Sequence, residues 1–316
     1  MQEARKISKK DNPIRQHHVP QVYLRNFCNE SKAIAVMDKI NQRIFSTGIR
    51  AVGAENDFYT LEKMDDPYCW EHIYANGIEP QMGELIPKII SQGNLLARNG
   101  AIIINDSEKV QLAAIMVMQL LRGKQSRDYE RKLYQSYLPE TLKKTKEVFA
   151  PLSEKQKELL HAYENDDYYF KRTSMDLALD SKRITQYTEI ICNHDFFFYR
   201  IQGGLEFITS DNPVMLVNSI TGNSRPFANG LLKVSTAVYY PLSPKLLLCV
   251  LHPEFSPGVF WGKNCCIVDL DSNREIRFIS RINQKQIEQC SQHAFARSED
   301  VLKRCATQEQ TPARVK

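Results

Sequence analysis

The sequence predicts an α+β fold: a helical middle region flanked by N-terminal strands and a C-terminal antiparallel β region. Three observations carry that reading. Short apolar runs broken by turn residues occupy the first sixty positions, apolar residues recur at three- and four-residue spacing from about 68 to 191, and β-rich runs return after Asn193. The order β, α, β, α places helices and strands in separate blocks, which argues for α+β layering and against a doubly wound parallel sheet.

The elements follow in order. Residues 22–27, 33–37 and 44–45 read as strands of a small hairpin or meander, with 58–61 as a possible extension. Residues 68–98 carry Trp70, Ile73, Ile78, Met82, Leu85, Ile86 and Ile89 at helical spacing, with Pro80 and Pro87 expected to kink or split the segment. Asp106 or Ser107 is the expected cap of a helix over 110–121, apolar on every side except at Gln111 and Gln119 and therefore buried. Ser153 and Gln156 form a capping box for the next helix, and a polar break at 165–167 leads into a helix over 168–191. Residues 196–201 and 205–210 flank Gly203 and Gly204 and read as a hairpin. Further strands are expected at 214–217, 233–240, 246–251 and 265–270, and Asn283 is the expected cap of a short amphipathic helix.

Length and composition set the outer limits. The 316 residues are 42% hydrophobic and 25% charged, ordinary globular values that exclude wholesale disorder and fibrous repeats. No apolar run reaches the roughly 18 residues a membrane span needs, and the polar first ten residues lack a signal-peptide core, so the expectation is a cytoplasmic chain with no membrane partner. Eight cysteines without a C-x-x-C pair suggest reduced packing residues in a reducing compartment. The net charge of +5 permits a nucleic-acid partner without requiring one. Much of the excess lies in a basic flexible arm at 1–15, ahead of a single integrated domain at 16–298 and a polar tail at 299–316.

Three clusters have the residue types that chemistry needs. In the first, His17 and His18 precede Pro20 and Gln21. The extended geometry before proline sends neighbouring side chains to opposite sides, so at most one histidine faces a given cleft. A neutral imidazole there accepts a proton or binds a metal, or simply hydrogen-bonds a nearby carbonyl. In the second cluster Glu71, Glu79 and Glu84 lie on the proline-interrupted helix. On a regular helix Glu71 and Glu79 diverge by about 80°, close enough to border one groove. Gln119 and Arg122 follow on the next helix, where an arginine beside an apolar spine needs a carboxylate or phosphate partner, whether a structural pairing with Glu71 or Glu79 or a substrate contact. The third cluster, Thr209, Ser210, Asp211, Asn212 and Pro213, reads as a strand ending in a polar turn. Such a tip builds a site or merely a turn, and Asp211 is its best candidate for a metal ligand or general base.

The string His18-x-Pro20-Gln21-x-Tyr23-Leu24-x-x-Phe27, taken with Thr209-Ser210-Asp211-Asn212-Pro213, resembles a widespread, mostly bacterial family catalogued only as a domain of unknown function. The likeness extends through residues 55–59, Ile78-Glu79, Gln119-x-x-Arg122 and Tyr240-Pro241-Leu242 to Ile282-Asn283, and spans about 16 to 298. It implies that these positions belong to one integrated domain and brings no reaction with it.

The leading expectation from the residues is a metal-dependent phosphodiesterase or nuclease, in a bacterial defence or toxin role. His18, Glu79, Asp211 and Arg122 would be its catalytic set, Glu79 and Asp211 its ligands for Mg²⁺ or Mn²⁺, and Gln21, Gln119, Ser210 and Asn212 its substrate contacts. Two alternatives stand beside it: a non-catalytic sensor or binding module with a structural polar network, and a metal-free nucleotide transferase or glycohydrolase with Glu79 as charge stabiliser. The sequence does not give an oligomeric state. It lacks the G-x-x-x-x-G-K-[ST], H-E-x-x-H and G-x-S-x-G patterns, which excludes the P-loop, zincin and α/β-hydrolase classes.

Overall fold

A computed structural model describes residues 14–98, 100–225, 228–255, 265–270 and 273–309. Its N-terminal part holds β1 (Arg15–His17), α1 (Gln21–Leu24), β2 (Ala33–Asp38), β3 (Arg43–Gly48) and β4 (Ala54–Asn56). The expected strand at 22–27 is instead α1 running into a 3₁₀ turn at Arg25–Phe27. Pro20 opens it with φ −58° and its carbonyl receives the Leu24 amide at 3.1 Å. Tyr23 and Phe27, four residues apart, then pack ring against ring at 5.5 Å, the helical period that the alternation reading overlooked.

The helical middle comprises α2 (Cys69–Ile73), α3 (Glu79–Leu95), α4 (Asp106–Arg122), α5 (Lys124–Val148), α6 (Glu154–Asn165), α7 (Asp167–Ala178) and α8 (Ser181–Cys192). A π turn over Tyr74–Ile78 joins α2 to α3 without a break. Pro80 has no N–H for the carbonyl one turn back, and the chain loosens ahead of it, whereas Pro87 sits inside α3. The cap of α4 is Asn105, one residue before the expected ones, in a reciprocal capping box with Glu108. The box of Ser153 with Gln156 stands as expected. Residues 168–191 form two helices because Asp180 caps a new start by accepting the Lys182 amide at 3.0 Å. Nothing in the sequence reading placed the 25-residue α5, whose polar, mostly exposed surface carries little apolar rhythm.

The remaining elements are β5 (Asp195–Ile201), β6 (Thr209–Ser210), β7 (Met215–Asn218), β8 (Thr236–Ser243), β9 (Leu246–Leu251), β10 (Cys266–Leu270), α9 (Asn273–Gln289), β11 (His293–Ala296) and α10 (Glu299–Glu309). One sheet has the order β10-β5-β9-β8-β7. It is mixed rather than purely antiparallel, since β10 runs parallel to β5. The second sheet, β3-β2-β11-β6, pairs strands from both ends of the described chain, with Ala35 opposite Ala296. The expected hairpin across Gly203 and Gly204 does not form. β5 pairs β9 and β10, while the chain after the glycines crosses to the other sheet, where β6 pairs β11.

Every residue of β9 is buried, the pattern of a central strand covered on both faces. Pro241 sits in β8 at a bulge, where its missing N–H is tolerated and its carbonyl receives the Tyr23 hydroxyl at 2.6 Å. The main core lies between this sheet and the helices, with α4 packed against α8. Asn283 does not cap a helix. It lies within α9, accepting the Ile208 amide and donating to the Glu206 carbonyl, and so ties that helix to the crossing strand. Part of the expected polar tail is α10, which buries Val301 and Leu302. The expected basic arm lies, apart from Ile14 and Arg15, outside the described residues.

Candidate functional site

Arg122 ends α4 with 2% of its surface exposed, too buried for a charge that lacks partners. Its Nε donates to the Tyr59 hydroxyl at 3.1 Å, and its Nη2 to the His17 carbonyl at 2.6 Å and Glu79 Oε1 at 3.0 Å. The guanidinium also lies 4.2 Å from the centre of the Tyr74 ring. Burial opposes its charge, but Tyr59 and Glu79 outweigh that and raise its pKa further. The arginine is thus a fixed cation around which the other groups are arranged.

The π turn explains how two glutamates come to share it. Eight residues of regular helix would separate Glu71 and Glu79 by about 80°. A π turn absorbs one extra residue, so the interval acts as seven positions, about 20° short of two full turns, and both carboxylates fall on one stripe. Burial pushes the Glu71 carboxyl up to about 7, opposed by Arg122 and reinforced by Glu79. Glu79 is the half-buried member of the ion pair with Arg122. Two carboxyl groups on one face therefore sit in unlike surroundings, one raised to about 7 by burial and one paired with a cation.

Several buried polar atoms here have no hydrogen-bond partner among the described residues: His17 Nε2, Glu71 Oε2, the Tyr74 hydroxyl, Gln119 Oε1 and Arg122 Nη1. Native interiors satisfy such atoms almost without exception, so their concentration around one cation is a departure from ordinary packing. Burial lowers the His17 pKa, against Glu79, which raises it. The His18 ring packs on Phe58 with centres 5.2 Å apart, its carbonyl accepts from Gln119 Nε2 at 3.0 Å, its Nδ1 also lacks a hydrogen-bond partner among the described residues, and burial with Lys124 holds its pKa well below the ordinary value. Glu79 acts on the His17 ring, and Arg122 acts on both histidines.

The downstream cluster does different work. Asp211 Oδ1 accepts the Ser291 amide at 2.7 Å, and Oδ2 accepts those of Gln292 and His293 at 2.7 and 2.8 Å, so the carboxylate organises the turn between α9 and β11. Burial pushes its pKa up and the three amides pull it back. Ser210 donates to Gln286 Oε1 at 2.6 Å, and Asn212 Nδ2 donates to the Gln289 carbonyl at 2.9 Å. Gln21 opens α1, half-buried. Of the expected set, the structure joins Glu79 to Arg122 directly and brings Gln119 to the His18 backbone; Ser210, Asp211 and Asn212 are engaged by α9 and the turn after it. Among the described residues no three His, Cys, Asp or Glu side chains gather as a metal-ligand set. Nor is any described helix long and apolar enough to cross a membrane.

A family model described as a protein of unknown function, DUF4238, matches residues 15–300. The chain belongs to the DUF4238 family. No curated protein and no solved structure matches it. Within this DUF4238 member the residues beside Arg122 that the sequence did not mark as site candidates are Tyr59 and Tyr74. Tyr74 stands three residues after Glu71, a spacing that puts both on one helix face, whereas the approach of Tyr59 depends on the path of the loop after β4.

Proposed function

We propose that this DUF4238 chain is an acid–base enzyme acting at a glycosidic bond, a glycohydrolase or glycosyl transferase whose substrate is a nucleotide or related glycoside. The observation that supports it is the carboxyl pair in unlike surroundings: Glu71 pushed up to about 7 by burial beside Glu79 paired with Arg122. Breaking a bond from an anomeric carbon requires a proton for the departing group and a negative charge for the cationic carbon left behind. Glu71 would donate the proton to the leaving atom as the carbon–leaving-group bond breaks. Glu79 would face the developing positive charge and take the proton of the water or acceptor hydroxyl whose oxygen forms the new bond. The spare atoms of His17, Tyr74 and Arg122 would hold substrate hydroxyls or an anionic group.

A metal-dependent phosphodiesterase has weaker support, because Glu79 and Asp211, its expected Mg²⁺ or Mn²⁺ ligands, are engaged by Arg122 and by backbone amides respectively. The binding-module reading gains from the structural roles of Ser210, Asp211 and Asn212.

The test is to incubate purified chain with nucleosides, nucleotides, aryl glycosides, RNA and DNA, in EDTA and in Mg²⁺ or Mn²⁺, and to separate products by chromatography. Glycosidic cleavage in EDTA that drops about 100-fold or more in a folded Glu71→Gln variant is the expected result. Phosphodiester cleavage that needs the metal would replace it with the nuclease reading, and binding without turnover would replace it with the module.

A further inference from the structure

A slot of about 480 Å³ lies between α5, α6 and α7 and shares no lining residue with the Arg122 cluster. Its long wall is one stripe of α5 from Glu130 to Thr145, at three- and four-residue spacing, in which Leu133, Tyr137, Leu138 and Leu142 supply most of the surface. Leu160 of α6 and Phe170 and Leu177 of α7 line it as well. Leu133, Tyr137, Tyr163 and Leu177 are exposed despite their size, and no residue of α6 is buried. A contiguous apolar lining that is open to water marks a binding surface.

The polar groups of the lining are engaged within the protein. Tyr134 Oη donates to the Tyr163 carbonyl at 3.1 Å, and Ser174 Oγ donates to Glu130 Oε2 at 2.7 Å. The hydroxyls of Thr141, Thr145 and Thr173 donate one turn back along their own helices, at 3.0, 2.8 and 2.9 Å. A peptide strand laid in the slot would bury N–H and C=O groups against a wall with few groups left to pair them. Shape excludes a helix. Glu130 to Thr145 covers about 22 Å of α5, so the volume corresponds to a mean section of roughly 20 Å². A helix is about 10–12 Å across with its side chains, several times too thick. A single polymethylene chain is thin and asks for no hydrogen bonds.

We infer that this slot binds one unbranched hydrocarbon chain, that of a free long-chain fatty acid or fatty alcohol. Its head group lies beside Leu142, where Lys143, Lys146, Glu147 and Glu164 border an adjoining recess. Charges of both signs stand there, so the chain rather than the head sets the affinity. The site is independent of the carboxyl pair and stands whether or not that pair is catalytic.

Calorimetric titration of the full chain, below the micelle concentration, tests the inference with octanoate, dodecanoate, hexadecanoate and the matching alcohols. Affinity should rise roughly fourfold for each added methylene until the slot is full. Thr141→Trp and Thr173→Trp, at exposed positions on opposite walls, should abolish hexadecanoate binding with an unchanged melting temperature. Leu159→Ser, an exposed leucine of α6 outside the lining, should leave it unchanged, as should Glu71→Gln. Affinity that ignores chain length, an acid more than about tenfold tighter than its alcohol, binding that survives both tryptophan variants, or equal loss in Leu159→Ser would each overturn the inference. A dimer that Thr141→Trp dissociates, with no amphiphile bound, would assign the slot to a second copy instead, and binding to phospholipid vesicles alone would assign it to a membrane.

Discussion

Arg122 and Glu79 meet at 3.0 Å with unequal access to solvent: 1% of the arginine side chain is exposed and 23% of the glutamate. The cation is locked inside while its carboxylate reaches the surface. An interior charge of this kind costs stability unless every partner is in place, so the pair should be coupled to the fold as well as to any chemistry. A double-mutant cycle with Arg122→Met and Glu79→Gln, read by urea denaturation, should return a coupling of about 1–3 kcal/mol. Additive effects would mean that Tyr59 and the His17 carbonyl alone satisfy the arginine.

Glu71 makes stability and activity depend on pH in a stated direction. Its value is raised from the ordinary 4.5 to about 7, so the stability contributed by the neutral form is complete below 4.5 and is lost as pH rises through 7. Glu71→Gln keeps the position neutral. After discounting for its partial exposure, the gain should be about 1 kcal/mol at pH 8, a rise of about 2–4 °C in melting temperature, with no gain at pH 4.5. Turnover that uses its proton should decline as pH passes about 7. Equal melting temperatures at pH 8 would place the carboxyl in water.

His18 acts in the other direction. Burial depresses its value well below the ordinary 6.5, so the stability it contributes is present above 6.5 and disappears as pH falls below it. His17, His194 and His293 are shifted the same way by burial. His18→Phe, which preserves an aromatic contact with Phe58, should flatten the stability profile between about pH 6.5 and 5. A profile as steep as that of the parent would assign the acid sensitivity to the other three.

Asp211→Ala removes the acceptor of three backbone amides and leaves buried donors unsatisfied. Destabilisation of roughly 3 kcal/mol or more is expected, with any activity retained at temperatures where the variant is folded. Loss of activity in a variant as stable as the parent would return Asp211 to the reacting groups.

The sequence made the layer order legible because blocks of helical and strand-like spacing do not overlap, and it made the long-range pairing of Arg122 legible because a cation beside the apolar spine of α4 needs a carboxylate or phosphate partner. Other features rest on information that local spacing does not hold. The parting of residues 196–201 from 205–210 is decided by which sheet offers an edge, and the polar α5 is helical with little apolar stripe to announce it. Asp211 is ambiguous in the sequence for a physical reason: an aspartate at a strand end looks the same whether it receives backbone amides or faces a substrate. The alignment of Glu71 with Glu79 needed the π turn, which Pro80 hints at but does not specify.

The most recognisable string of the chain, Thr209 to Pro213, holds a turn in shape by backbone amides rather than carrying the carboxyl pair. Selection for folding alone is then enough to preserve it. A descendant could exchange Glu71 or Glu79 for an inert residue, keep its architecture, and still be grouped with its kin by that string. Under the proposed acid–base function, positions 71, 79 and 122, read together, would sort working copies from retired ones.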